Sequence, residues 1–192
     1  MKNRLFRITF LVSSLLLLLP ALGRADDVKV ADRQERLQLE VVRDRKQRTK
    51  GGDFDDQLDR ITLTVKVQNL ESKKEFPGLK ATIWMLGESQ VEKGMLKVMA
   101  RESFDFKLGV GKEAGSFEKT TKEVTAAWDN TGAVFGYRYQ GWVLAIQDAD
   151  GKVIAWKATR ANWETDLPKF FPLQADVVVD RKLAVVDNPP VQ

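Results

Sequence analysis

The chain has 192 residues, with 31 basic against 27 acidic side chains and neither histidine nor cysteine. The missing histidine removes the commonest general base, nucleophile activator and zinc ligand together, and the missing cysteine excludes thiol catalysis, disulfides and structural zinc. The formal charge of +4 does not point to nucleic acid, because Lys2, Arg4, Arg7 and Arg24 stand in a leading segment without an acid and the rest of the chain is balanced.

That leading segment combines a basic start, an apolar run over residues 8–22, Pro20 and a Gly23-Arg24-Ala25 end with small residues at both recognition positions. It reads as a secretory signal peptide, residues 1–25, cleaved after Ala25. The run is shorter than the ~20 residues a spanning helix needs, so no membrane span is expected after cleavage. Export without cysteines or an Asn-x-Ser/Thr sequon suits a bacterial periplasm or cell surface. What remains is the length of one domain with a core of its own.

A polar lead-in, residues 26–34, precedes a first strand at Leu37, whose LQLEV alternates apolar and polar side chains. Residues 43–60 hold a basic half, Gly51-Gly52 and an acidic half, and are predicted to form a long exposed loop. The next run, ITLTVKVQ over 61–68, alternates cleanly and should bury Ile61, Leu63, Val65 and Val67 on one face. After a Pro77-Gly78 turn, residues 79–86 are apolar on both faces and predict a central strand. Two shorter strands follow at 95–100 and 103–108. Gly109, Gly111 and Gly115 make a flexible connection, and a strand over 116–124 is preferred to a helical turn over 121–128. A turn over 129–132 leads to the last strands.

Residues 137–159, YRYQGWVLAIQDADGKVIAWKAT, read as a β-hairpin closed by Asp148-Ala149-Asp150-Gly151, where Gly151 can take positive φ. Pairing Asp148 with Lys152 sets Ile146 against Ile154, Leu144 against Trp156 and Trp142 against Ala158, which places the bulky apolar groups on one face. A shift of one residue would set Leu144 against Lys157. Each of these large side chains contributes roughly 1.5–3 kcal/mol when fully buried. Beyond Arg160 the pattern stops, and residues 162–192 are expected to form an extended, partly disordered tail.

These elements predict an all-β fold, an antiparallel sandwich of about seven to eight strands over residues 35–161. In this arrangement 61–68, 79–86 and the hairpin resemble strands B, C, F and G of an immunoglobulin-like or fibronectin type III-like domain. The resemblance is architectural. It implies Trp84 as the core tryptophan on strand C and Tyr137 or Tyr139 near the start of F. The inter-sheet cysteine pair of antibody domains is absent.

No catalytic constellation, metal set or cofactor motif emerges. Asp53, Asp55, Asp56 and Asp59 could offer oxygens to calcium, but they lack the glycine and terminal glutamate of an EF-hand and read as a charged loop. Asp148 and Asp150 are explained by their turn, and Gly109-Val110-Gly111-Lys112 has the spacing of neither phosphate-loop motif. Of the five tryptophans, Trp128 and Trp163 lie outside the confident strands. They are the candidates for an exposed sugar-stacking surface, against packing for each. Two functions follow: a non-enzymatic binding or adaptor domain of the envelope with a protein partner, contacted through edge strands and the tail, or a carbohydrate-binding module using Trp128 and Trp163.

Overall fold

A computed structural model describes residues 28–49, 57–129, 134–187 and 189. The signal segment therefore lies outside the described residues, as do Asp53, Asp55, Asp56 and the turn over 130–132.

The fold is nearly all β. Nine strands are described: β1 (Leu37–Thr49), β2 (Gln57–Asn69), β3 (Phe76–Ser89), β4 (Leu96–Leu108), β5 (Ser116–Thr120), β6 (Val124–Asp129), β7 (Phe135–Gln147), β8 (Val153–Ala158) and β9 (Val178–Val179). All nine pair antiparallel and are hydrogen-bonded into one sheet that folds over into two layers. One layer is β1, β2 and the successive partners β5 and β6; the other is β8, β7, β3, β4 and β9. β7 joins them, because Phe135 and Gly136 pair with β6 while residues from Tyr137 onward pair with β3. Gly136, at φ 79, takes the left-handed turn there, and a Cβ at this position would run into the Ala127 carbonyl oxygen.

The core between the layers follows the alternation of the sequence. β2 contributes Ile61, Leu63, Val65 and Val67, and the facing layer contributes Leu79, Ile83, Met85, Leu144 and Ile146. β3 is central, between β4 and β7, and is buried on both faces as expected. The doubtful stretch after Thr121 is strand, and the Thr121 side chain bridges the break between β5 and β6: its Oγ1 accepts the Leu63 amide at 3.0 Å.

Four expectations change. Residues 43–60 are not a loop throughout, since β1 runs on to Thr49 and β2 starts at Gln57. The inward positions of this ribbon carry Arg43 and the ion-paired Arg45 and Asp59, so no apolar row announces it. Residues 95–100 and 103–108 form the single strand β4, with a bulge opposite Met85 and Leu86.

The hairpin closes as predicted, with the Asp148 amide donating to the Lys152 carbonyl at 2.9 Å and Gly151 at φ 77. A bulge at Ile146 and Gln147 then shifts its register, so that Leu144 meets Lys157, Ala145 meets Trp156 and Ile146 meets Ala155. The shift is tolerated because both faces of the hairpin are covered. Trp142, Leu144, Ile146 and Ile154 serve the core between the layers, whereas Val143, Ala145, Val153 and Trp156 face the other way.

What covers that other face is the segment predicted to be a tail. α1 (Ala161–Thr165), a 3-10 turn (Leu167–Phe170) and β9 lay Trp163, Leu167, Phe170, Leu173, Val179 and Leu183 against Trp84, Leu86, Val98, Val143 and Ala145. Trp84 is fully buried, but in this second core rather than between the layers, with its indole N–H donating to the Leu173 carbonyl at 3.3 Å. Among the described residues no helix is long and apolar enough to cross a membrane.

Candidate functional site

The two tryptophans singled out for sugar stacking are interior groups. Trp128 is 5% exposed; its indole N–H donates to Asp59 at 2.9 Å, and the Arg138 guanidinium lies 4.8 Å over its ring. Trp163 is 2% exposed under the second core, with Phe170 against its ring and Arg160 4.8 Å over it. Neither presents a face to a ligand, and the structure does not bring them together. The remaining candidates among the described residues are equally occupied. Asp59 is fully buried and ion-paired. Asp148 Oδ1 accepts the amides of Asp150 and Lys152 within the hairpin turn. Gly109 and Gly111 close a β-β connection through the amides of Gly109 and Gly115. No group of three or more acids able to hold a metal ion occurs among the described residues.

The feature that stands open is an edge of the sheet. In an antiparallel strand alternate residues turn their N–H and C=O to opposite sides. The side to which β2 turns each residue is fixed by two bonds: the Asn69 amide donates to Gly115 and the Thr121 amide to the Leu63 carbonyl. Odd-numbered residues of β2 thus bond toward β5 and β6, and even-numbered ones toward β1. Because Leu37 lies opposite Asn69 and Arg43 opposite Leu63, the odd-numbered residues of β1 turn away from β2. Lys157 confirms the parity independently, its ammonium donating to the Leu39 carbonyl at 3.0 Å on that outer side. Beyond Leu39, the main-chain groups of Val41, Arg43, Arg45, Gln47 and Thr49 face outward, with no backbone partner among the described residues.

The neighbouring edges are already covered. Residues 29–35 bond along β8, through Ala31 to the Val153 carbonyl and Glu35 to the Ile154 carbonyl. Where β4 faces β5, the gap is filled by the stacked rings of Phe106 and Phe117, 4.1 Å apart, and by Glu102, which accepts the Lys122 amide.

The open part of β1 is held stiffly. Arg45 binds Asp59 through both ends of its guanidinium fork, at 3.0 and 2.8 Å, and Asp59 also takes the Trp128 N–H. This bidentate geometry fixes orientation as well as charge. Arg43 lies 5.6 Å over the Tyr139 ring. Burial pushes the Tyr139 hydroxyl up to about 12, although the positive charges of Arg43 and Arg45 pull it the other way. On the outer side Val42, Lys46 and Arg48 are exposed. The basic run is the visible signal of this surface in the sequence, and the one acid shown to pair with it from across a strand is Asp59, so residues 43–60 read as a loop.

No family model and no curated protein matches the chain. Among solved structures, one from Akkermansia muciniphila is similar at a TM-score of 0.30 and 13% identity, covering 71% of this chain and 78% of that one. A structural-genomics target known from an X-ray structure is similar at a TM-score of 0.30 and 9% identity, over 64% of this chain and 84% of its own.

Proposed function

We propose that the chain is an exported, non-enzymatic binding or adaptor domain of a bacterial cell envelope, acting in the periplasm or at the surface. Its protein partner adds a strand to β1. The observation that carries this reading is the outward row of main-chain groups at Val41, Arg43, Arg45, Gln47 and Thr49 on a strand braced from within by Arg45 and Asp59. An extended peptide that pairs with such an edge gains ladder hydrogen bonds along its length, while the charged side chains that line it discourage any strand that does not answer their charge. The sequence adds the leading signal-like segment and the lack of histidine and cysteine. The immunoglobulin-like reading belongs to this proposal too: β3, β7 and β8 are neighbours in one layer with β2 in the other, the order expected for strands C, F, G and B. The departure is Trp84, which faces away from β2. The carbohydrate reading loses its residues with the burial of Trp128 and Trp163.

The test places a photo-cross-linking amino acid at Gln47 of the full chain in living cells, with a second at Lys152 on the hairpin turn as control. A discrete envelope-protein adduct from position 47 alone is expected. Adducts from neither position, or equal adducts from both, would overturn the assignment of β1.

A further inference from the structure

We infer that the segment added to β1 is an acidic one, about nine residues long; this rests on the strand-addition reading above. The length comes from the ends of the open edge. Lys157 occupies the Leu39 carbonyl, so pairing starts at Val41, and the described part of β1 runs to Thr49, which gives the nine residues of edge on which the length is based. Nine residues at about 3.3 Å each span roughly 30 Å.

The charge comes from the side chains that would flank an added strand. A partner's residues alternate between the two faces of the sheet. On the inner face they meet Arg43, whose guanidinium lies over Tyr139. On the outer face they meet exposed Lys46 and Arg48. Arg45 is excluded from this count because Asp59 already neutralises it. Asp44 is the one acid between Val41 and Thr49, and it sits 3.9 Å from Lys46 with both groups largely exposed, a pair worth little in water. Opposite charges directly across two strands stabilise their pairing and like charges oppose it, so Arg43, Lys46 and Arg48 favour glutamate or aspartate in the partner and reject lysine. A second copy of this chain is disfavoured as the occupant, since β1 laid against itself sets Arg43, Lys46 and Arg48 of each copy against a strand whose one acid between Val41 and Thr49, Asp44, already lies beside Lys46.

The experiment uses the full mature chain and three blocked, fluorescein-labelled decapeptides that alternate valine with glutamate, glutamine or lysine. Binding is read by anisotropy, and the site by amide hydrogen exchange. The glutamate peptide should bind at least about tenfold more tightly than the glutamine peptide, with the difference shrinking at high salt. The lysine peptide should show no binding. Exchange should slow at Val41, Arg43, Arg45, Gln47 and Thr49 and stay unchanged at Val42, Asp44 and Lys46, which already bond to β2. Gln47→Pro removes an outward N–H without touching the β1–β2 ladder and should abolish binding while leaving those ladder amides protected. The double variant Lys46→Glu, Arg48→Glu should reverse the preference between the charged peptides. Equal binding of glutamine and glutamate peptides would overturn the acidic partner and leave strand addition standing. Binding that survives Gln47→Pro, or leaves the five amides unprotected, would overturn strand addition itself. No binding by any peptide at millimolar concentration would overturn both, and a dimer that protects the same amides without peptide would overturn the acidic partner in favour of a second copy.

Discussion

Arg45 keeps about a quarter of its side chain in solvent, while the Asp59 carboxylate it binds is sealed away. That asymmetry decides which partner can be lost. Arg45→Ala leaves a buried carboxylate with only the Trp128 N–H for compensation, and should cost about 3 kcal/mol in urea unfolding. Truncating an exposed cation such as Arg48 should move the midpoint by less than about 0.5 kcal/mol. Tyr139 provides the titration at this scale. Its hydroxyl ionises near 12 in the folded chain against 10.0 as its ordinary value. The neutral form is therefore favoured by folding, and this contribution is complete below pH 10 and lost as pH rises through 10 to 12. Absorbance titration of the tyrosinates should show a component near pH 12 that disappears in Tyr139→Phe, and the alkaline loss of stability over that window should shrink in the same variant.

At the scale of elements, the segment after Arg160 is a structural cover, and its removal should be felt throughout. Trp163→Ala should cost about 3–5 kcal/mol by calorimetry, as expected for a large buried aromatic. A chain ending at Thr159 should bind hydrophobic dyes and lose its cooperative transition. Gly136→Ala should also destabilise, by about 3 kcal/mol, since the new methyl meets the backbone of β6 where the two layers join. These elements differ in how far sequence exposes them. The alternation of β2 and the double-sided apolarity of β3 were readable because each is a local pattern with one partner surface per face. The Asp148–Gly151 turn was readable from its glycine. The hairpin register was not, because parity fixes register only when one face is wet, and here Trp163, Leu167 and Phe170 arrive from far along the chain to keep the second face dry. The far half of β1 was hidden for the opposite reason. Its inward positions include Arg43, which lies over the Tyr139 ring, and Arg45, whose charge is met by Asp59. Trp128 and Trp163 stood outside the recognised strands, and only tertiary packing shows that both are interior.

For the whole molecule, export would remove the segment that holds the basic surplus, leaving equal numbers of acidic and basic groups. Intact-mass measurement of the protein recovered from its native compartment should give a chain beginning at Asp26. A mass that retains the leader would refute cleavage. The neutral remainder also means that the basic side chains of β1 are a local feature, so weakening of partner binding by salt should trace to Arg43, Lys46 and Arg48 rather than to the general charge of the protein.

β7 belongs to both layers, pairing first with β6 and then with β3. During synthesis, therefore, the layer of β3, β4 and β7 cannot be completed until residue 147 has left the ribosome, although β1, β2, β5 and β6 have all emerged by residue 129. A nascent polypeptide stalled with residue 129 clear of the exit tunnel should be cut by protease faster than one stalled past residue 187 with enough linker to clear it, because it lacks β7, β8 and the segment that covers the second core.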